Sequence, residues 1–270
     1  MKPAAFRYVS PTSLDEVVAL LAEHSEDARI LAGGQSLVPM MNMRLVQPAV
    51  LIDIGSVREL NGVVLGERAL RVRANVSQAA LLNHPVTSAR FPLLAQAMPY
   101  IGHVQTRAQG TVCGSVALSD PSAELPLVLM LYEAEVELQS IRGTRRLAVA
   151  DFVDGAMITD CAVDEVIVAL DIPYPAPARV AFDEVAHRRG DFATLSFAVL
   201  AEKGGCRVGI GGLDDRPLID QWATPSIEHC DAYLASLAGK IHVTEPEFQG
   251  TSYRRELVKR LGGRLLRSVL

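Results

Sequence analysis

The sequence has few residues of the kinds that build metal centres or nucleic-acid interfaces. Its four cysteines, Cys113, Cys161, Cys206 and Cys230, are far apart, and none belongs to a C-x-x-C pair. This spacing argues against a zinc or iron–sulfur site within the chain and against a secreted disulfide framework. Aromatic residues make up 5% of the chain and its net charge is -5. We therefore expect neither a base-stacking platform nor a basic face for nucleic acid or anionic lipid.

Long hydrophobic runs are also missing. The longest apolar stretch, at 125–132, is much shorter than the ~18 residues that a membrane-spanning helix needs. The first residues lack the apolar segment of a secretion signal. We therefore expect a cytoplasmic chain without a membrane span. Redox chemistry in such a chain requires an organic cofactor, because the sequence offers no metal ligands at suitable spacings.

The residues that are present indicate a globular protein of two domains. The chain has 270 residues, of which 49% are hydrophobic, and this length predicts about two domains. Three prolines fall within 173–177 and make a stiff connector. We predict a first domain over 1–173, with subdomains of about 1–55 and 56–173, and a C-terminal domain over 178–270.

Hydrophobic periodicity predicts an α+β chain. For the C-terminal domain it predicts three strands, at 180–185, 195–201 and 206–210, and then helices at 226–238 and 253–267. For the first domain it predicts strands at 28–32 and 49–54, one long helix over 87–100, a small-residue loop over 110–115 and a buried helix over 125–131.

Two loops rich in small residues are the candidate sites. In the first, the strand predicted at 28–32 stops at Gly33-Gly34, within the segment Leu31-Ala32-Gly33-Gly34-Gln35-Ser36. Glycines allow close backbone approach, and successive free amides at such a turn bind phosphate or pyrophosphate. An ordinary tight turn between a strand and a helix is the alternative. Neither the P-loop pattern nor the Rossmann G-x-G-x-x-G is present.

The second loop, at 110–115, precedes two acidic residues. Asp120 and Glu124 stand just before the predicted buried helix. A carboxylate in this position accepts hydrogen bonds from ribose hydroxyls in other dinucleotide sites. The alternative is that Asp120 caps the helix with Pro121 at its first position, while Glu124 interacts with the helix dipole. Together the two loops suit a ligand with two phosphates and bulky ends, such as FAD.

Three motifs carry a resemblance to a known family. AGGQSL at 32–37, QTRAQGTVCGS at 105–115 and DPSAELP at 120–126 resemble the FAD-binding subunit of molybdenum hydroxylases. That family includes the medium subunits of aerobic carbon monoxide dehydrogenase and the flavin domain of xanthine dehydrogenase. The resemblance extends over essentially the whole chain. It implies a two-part FAD-binding domain of the PCMH type, α/β plus a mixed sheet, followed by a small α+β domain with a three-stranded antiparallel sheet.

The resemblance also implies which residues bind FAD. The first loop would wrap the pyrophosphate, the second loop would lie along the other side of the cofactor, an acidic residue would bind the adenosine ribose, and apolar residues would flank the flavin ring. The corresponding residues are Leu31, Ala32, Gly33, Gly34, Gln35 and Ser36 in the first loop, Thr111, Gly114 and Ser115 in the second, Glu124 or Asp120 for the ribose, and Ile101 and Ile167 for the ring. Core packing is the alternative role of both isoleucines.

The sequence departs from the family pattern at three places. Relatives usually have glycine at the position of Cys113 and a histidine or asparagine at that of Leu118. Relatives often have a lysine near the flavin in the strand before residue 190, where this chain has His187, Arg188 and Arg189. These basic groups would stabilise negative charge on the reduced ring, or they form a solvated basic turn.

The resemblance implies a place in a larger oxidoreductase. A large subunit with a molybdenum cofactor and a small subunit with 2Fe-2S clusters would be partners, in a dimer of heterotrimers. This chain would take electrons onto FAD and pass them to NAD, oxygen or a quinone, and it would contribute no catalytic residue and no metal ligand. The alternatives are a self-contained flavin oxidase or reductase on the same fold and a scaffold subunit without cofactor.

Overall fold

The computed structural model describes residues 2–244 and 250–270 as an α+β chain. Three sheets of three or more strands lie in these ranges. Their helices are all too short or too polar to cross a membrane. The α+β class that hydrophobic periodicity predicts is therefore confirmed, and two details of the sheets differ from it.

The first unit is a three-stranded parallel sheet with two helices. Ser13 begins the first helix, because its hydroxyl accepts a hydrogen bond from the amide of Glu16. The strand order is β1-β3-β2, so β2 is an edge strand and residues 32–36 emerge at its carboxyl end. The elements are β1 (Arg7–Val9), α1 (Leu14–His24), β2 (Ala28–Leu31), α2 (Leu37–Asn42) and β3 (Val50–Asp53).

The second unit contains a five-stranded sheet, and most of its helices lie between β5 and β6 in the chain. Its strand order is β4-β5-β10-β6-β7, and every neighbouring pair is antiparallel. The expectation of a mixed sheet is therefore wrong. Short hairpins join β4 to β5 and β6 to β7 and permit only antiparallel pairing, and β10 runs antiparallel to both β5 and β6. The elements are β4 (Val63–Leu65), β5 (Ala69–Arg73), α3 (Gln78–Leu82), α4 (Pro85–Arg90), α5 (Pro92–Ala97), α6 (Val104–Gln109), α7 (Val112–Leu118), α8 (Glu124–Leu131), β6 (Glu135–Ser140), β7 (Gly143–Ala148), α9 (Val149–Phe152), β8 (Val153–Gly155), β9 (Ile158–Thr159) and β10 (Val166–Pro173).

The single helix predicted over 87–100 is wrong. The chain forms α4 and α5 instead, and a 3-10 turn over Met98–Tyr100 follows. Pro92 explains the break, because proline has no amide hydrogen and disfavours a helical conformation in the residue before it. Phe91 accordingly has φ -126° and ψ 62°. The 3-10 turn ends one residue before Ile101.

The loop predicted over 110–115 is mostly helical. Thr111 is the N-cap of α7, and its hydroxyl oxygen accepts the amide hydrogen of Gly114 at 3.0 Å. Only Gly110 and Thr111 remain outside helices α6 and α7. Because a threonine before a run of small residues is a standard helix start, the sequence pattern was compatible with this outcome.

The C-terminal part has a four-stranded antiparallel sheet, where the sequence predicted three strands. The order is β11-β12-β13-β14, and the additional strand β14 pairs along β13. This strand is short and mixes apolar with polar residues, so it lacks a clear alternation. The elements are β11 (Arg179–Ala186), β12 (Ala193–Glu202), β13 (Gly205–Gly211), β14 (Leu218–Trp222), α10 (Cys230–Gly239) and α11 (Thr251–Val269).

The hydrophobic core crosses the predicted domain boundary. Every residue of α8 is buried, and Phe182, Ala198 and Leu200 of the four-stranded sheet belong to the same apolar cluster as α8. The opposite face of that sheet packs against α10 and α11 in a second cluster. The division at 173–177 stays a prediction, and one face of the C-terminal sheet is continuous with the core of the preceding part.

Candidate functional site

A cleft of about 730 Å³ lies between the first and second units. It collects residues from the carboxyl end of β2, the start of α7, the start of α8, the turn before α6, and β10. All the residues that the sequence predicted for the site line this cleft except Leu31, namely Ala32, Gly33, Gly34, Gln35, Ser36, Ile101, Thr111, Gly114, Ser115, Asp120, Glu124 and Ile167.

The first loop presents a run of unpaired backbone amides. The carbonyl groups of Gly34 and Ser36 accept hydrogen bonds from the amides of Val38 and Met40 and so begin α2. The amides of residues 33–36 donate to no residue within the described ranges. Gly34 has φ +69°, a conformation that glycine adopts without strain. Consecutive free amides of this kind form a concave anion site.

Gly33 has a role that the sequence did not reveal. A Cβ atom at this position would overlap the carbonyl oxygen of Gln109 and lie 2.8 Å from the Cα atom of Gly110. The missing side chain therefore lets the first loop pack directly on the second. Leu31, which does not line the cleft, lies behind the loop, where its Cδ1 atom would be 3.2 Å from a Cβ atom at Gly34.

The second loop is tied to the segment before α3. The amide of Gln78 donates to the carbonyl oxygen of Gly110 at 2.8 Å, and that of Val112 donates to Val76 at 3.0 Å. The buried side-chain oxygen Oε1 of Gln78 has no hydrogen-bond partner among the described residues, and this side chain lines the cleft. A buried acceptor of this kind favours a ligand with a hydrogen-bond donor. No motif in the sequence singled out Gln78.

Cys113 occupies a helical position in α7 and is buried. Its φ angle is not positive, so this position accepts a side chain without backbone strain. Burial raises the pKa of the thiol to about 12, and Sγ lies 3.7 Å from the carbonyl oxygen of Val72. These features describe an unreactive thiol in the wall of the cleft.

Glu124 is the buried acidic residue of the site. It is the first residue of α8 and only 7% exposed. Burial, with a smaller contribution from the nearby Asp120, raises the pKa of its carboxyl group to about 7, and Arg107 acts in the opposite direction. Asp120 does not cap α8, since its Oδ1 atom accepts the amide hydrogen of Ser122 at 2.8 Å and the helix starts after Ala123.

The apolar walls come from Ile101 and Ile167, which are 9% and 7% exposed. Arg107 holds the backbone at Ile101 in place, because its Nη1 atom donates to the carbonyl oxygens of Ile101 at 2.7 Å and Gly102 at 3.1 Å. Sequence reasoning did not identify Arg107. Its hydrogen bonds go to backbone carbonyl groups, and such bonds leave no pattern in the residue types of a sequence.

The basic segment lies at the mouth of the cleft. His187, Arg188 and Arg189 are exposed and do not line it, whereas Gly190 and Phe192 do. Gly190 has φ +85°, and a Cβ atom there would lie 2.8 Å from Cε1 of His103. The turn at Gly190 therefore packs closely on the segment that follows Ile101. The three basic side chains before it are not part of the cleft lining.

These residues fit a dinucleotide cofactor, and comparison with known proteins agrees. The sequence profile of the FAD-binding domain in molybdopterin dehydrogenase matches residues 4–175. The chain belongs to this family of FAD-binding domains. It is 39% identical over 202 residues to the caffeine dehydrogenase subunit beta of Pseudomonas sp. strain CBB1, which covers 74% of this chain and 68% of that protein.

Two further comparisons extend over nearly the whole chain. The glyceraldehyde dehydrogenase medium chain of Sulfolobus acidocaldarius is 30% identical over 271 residues, covering 96% of each protein. The structure of carbon monoxide dehydrogenase from Hydrogenophaga pseudoflava matches with a TM-score of 0.93 at 29% identity, covering 100% of this chain and 98% of that one. This chain is therefore an FAD-binding medium subunit of the molybdenum hydroxylase type, a part of an oxidoreductase.

Proposed function

We propose that this FAD-binding subunit carries electrons between partner subunits and a terminal acceptor. It would take them from the 2Fe-2S clusters of a small subunit and pass them to NAD, oxygen or a quinone. The observation that supports this most directly is the cleft in which the two glycine-containing loops meet, with unpaired amides over residues 33–36. When bound, FAD would supply the chemistry that accepts and releases two electrons.

The residues of the cleft would bind and orient this cofactor. Amides of 33–36 would hold the pyrophosphate, with Thr111, Gly114 and Ser115 on its other side. Glu124, with Asp120 beside it, would accept hydrogen bonds from the adenosine ribose. Ile101 and Ile167 would exclude water from the two faces of the flavin ring, because both present buried apolar surface to the cleft. Leu31 would support the first loop from behind, as its contact with Gly34 indicates.

Partner subunits would cover the mouth of the cleft. Exposed apolar side chains occur in α2 and just after it, at Val38, Met43 and Leu45, and also at Val104 and at Phe192, which lines the cleft. Clustered exposed apolar groups mark interaction surfaces. We propose a large subunit with a molybdenum cofactor and a small 2Fe-2S subunit as partners, in a dimer of heterotrimers. The names of the relatives, a subunit beta and a medium chain, support a multi-subunit assembly.

We also propose a cytoplasmic location. All four cysteines are free thiols in the structure, three of them buried. Free thiols persist in reducing compartments, and this observation supports a location where they stay reduced.

Copurification and flavin absorbance test the proposal together. The chain, expressed with its genomic neighbours, should carry one flavin per chain and should purify with a molybdenum subunit and an iron–sulfur subunit. Purification without flavin, after addition of FAD, would support the scaffold alternative. Reduction of the flavin by a small organic substrate in the isolated chain would support a self-contained oxidase or reductase.

A substitution at Glu124 tests the ribose contact. Glu124→Gln should weaken FAD binding about 10- to 100-fold, because a hydrogen bond to a buried charged group contributes roughly 1–3 kcal/mol. The measurement is the dissociation constant from FAD fluorescence quenching at pH 7.5. Glu135→Gln, at an exposed position on β6, is the control and should leave the constant unchanged. An unchanged constant in Glu124→Gln would assign Glu124 to the helix start alone.

A further inference from the structure

One buried polar side chain in the wall of the cleft has an oxygen atom without a hydrogen-bond partner. Gln78 is the first residue of α3 and only 5% exposed. Its Oε1 atom is buried and accepts no hydrogen bond from the described residues, and the side chain lines the cleft. Buried polar atoms are nearly always paired, so an open acceptor beside a cavity indicates a donor on the molecule that fills it.

The backbone holds this side chain in a fixed place. The amide of Gln78 donates to the carbonyl oxygen of Gly110 at 2.8 Å, and Ser77, the residue before it, forms an isolated β-bridge with Thr111. The hydroxyl of Ser77 also caps α3, because it accepts the amide hydrogen of Ala80 at 3.1 Å. These bonds fix the backbone of Gln78 before any ligand binds, and such preorganisation lowers the entropic cost of binding.

Gln78 lies where the two loops meet. A Cβ atom at Gly110 would stand 3.3 Å from Oε1 of Gln78 and 3.5 Å from Cγ of Gln35. Gln35 belongs to the first loop, whose amides over 33–36 donate to no residue within the described ranges. The open acceptor is therefore next to the loop to which the proposed function assigns the pyrophosphate.

The same junction is connected to the segment assigned to the flavin ring. The carbonyl oxygen of Thr106 accepts the amide hydrogen of Gly110 at 2.7 Å, and the Cβ atom of Thr106 would lie 3.3 Å from a Cβ atom at Gly102. Gly102 follows Ile101, which the proposed function places at the ring. Contacts at Gly110 thus join the residues assigned to the pyrophosphate with those assigned to the ring. The part of FAD that spans these two groups is the ribityl chain, which carries hydroxyl groups.

We propose that Gln78 binds the ribityl chain of FAD, with its Oε1 atom accepting a hydrogen bond from a ribityl hydroxyl group. This inference rests on the proposed function, since FAD must occupy the cleft. A hydroxyl group donates one hydrogen, and an amide oxygen accepts it without carrying a charge. A neutral acceptor suits this position because an ionised carboxylate here would repel the phosphates of the cofactor.

The dissociation constant of FAD, measured by flavin fluorescence with the cofactor-free full chain, tests the contact. Gln78→Met keeps the length of the side chain and removes the amide oxygen, so FAD binding should weaken about 5- to 30-fold. Gln221→Met, at an exposed position on β14 outside the cleft lining, is the control and should leave the constant unchanged. An unchanged constant in Gln78→Met would overturn the proposal.

FAD analogues that lack one ribityl hydroxyl group identify the donor. The wild type should bind one of these analogues about 5- to 30-fold more weakly than FAD, whereas Gln78→Met should bind that analogue and FAD equally well. If the substitution weakens FAD and every analogue by the same factor, the ribityl contact is overturned in favour of a contact with the pyrophosphate. If Gln78→Met does not fold, the wild type decides, since equal constants for FAD and all analogues would overturn the contact.

Thermal unfolding separates this role from a purely structural one. Without cofactor, Gln78→Met should have a Tm at or above that of the wild type, because the substitution removes an unpaired buried acceptor. At equal FAD concentration the wild type should gain more in Tm, since it binds the cofactor more tightly. A lower Tm without cofactor, together with wild-type affinity for FAD, would assign Gln78 to the fold alone.

The binding results also distinguish this inference from the proposed function. If the wild type binds no FAD, the proposed function is contradicted and the role of Gln78 with it. If the wild type and Gln78→Met bind FAD equally well, the proposed function stands and only the role of Gln78 is overturned.

Discussion

Gly33 and Gly34 are adjacent, and the structure requires glycine at each for a different reason. Gly34 adopts a positive φ angle, whereas Gly33 lies where the backbone of Gln109 and Gly110 approaches most closely. The first requirement concerns backbone conformation and the second concerns packing between two loops. The relative position of the two loops therefore depends on the absence of a side chain at Gly33.

Gly33→Ala should separate the two loops. The added Cβ atom meets backbone atoms, which cannot move aside as a side chain can, and such overpacking costs about 1–3 kcal/mol. We expect a lower Tm and a loss of bound flavin, measured by the ratio of absorbance at the flavin band to that of the protein.

Gly239→Ala is a matched control, since a Cβ atom there meets nothing within 4 Å. It should retain the flavin content of the wild type, with a Tm at or slightly above that of the wild type, because alanine favours a helix more than glycine does. Full flavin occupancy in Gly33→Ala would show that the contact between the loops is not needed for binding.

At the scale of elements, α8 is central because it is buried on all sides. Its sequence, Glu-Leu-Pro-Leu-Val-Leu-Met-Leu, has no polar face, which is typical of a helix inside a core. The side chain of Leu127 approaches Gly209 and Gly211 of the four-stranded sheet. The same helix carries Glu124 at its start, so packing of α8 also places a residue of the cleft.

Leu127→Ala should destabilise the contact between α8 and this sheet. Leu127 is fully buried, and removing a buried leucine side chain costs about 2–5 kcal/mol. We expect a clear decrease in Tm and weaker FAD binding, measured by scanning calorimetry and fluorescence titration. Leu65→Ala, at an exposed position in β4, should change neither; a similar decrease in both variants would contradict the role assigned to α8.

At the scale of the whole molecule, the described parts of the chain share a continuous core. Phe182, Ala198 and Leu200 pack with residues of the preceding part, and Gln96 of α5 accepts the amide hydrogen of Phe182 at 3.0 Å. The boundary at 173–177 stays a prediction, and one hydrophobic cluster contains residues from both sides of it.

The full chain should unfold in one transition, and a fragment of residues 1–175 should unfold at lower temperature. The fragment lacks the sheet that covers α8, so apolar surface becomes exposed to water. Circular dichroism during heating measures both proteins. Two separate transitions in the full chain, with one matching the fragment, would show that the two parts fold independently.

Much of the candidate site could be predicted because it depends on local sequence. Glycines after a strand, a threonine before small residues and an acidic residue before an apolar run each indicate a conformation through neighbouring residues. Twelve of the thirteen predicted residues accordingly line one cleft. The helix over 87–100, the loop over 110–115, the mixed sheet and the strand count of the last sheet were predicted wrongly. They depend on one proline, on a helix cap and on pairing between strands.

The sequence by itself determined the family, the cofactor and the two loops that would bind it, because these lie in short motifs. Only the tertiary structure decided that Gly33 packs on Gln109 and that Arg107 holds the Ile101 turn. The physical reason is that burial and charge interactions join residues far apart in the chain, and their strength depends on distances that no local pattern encodes.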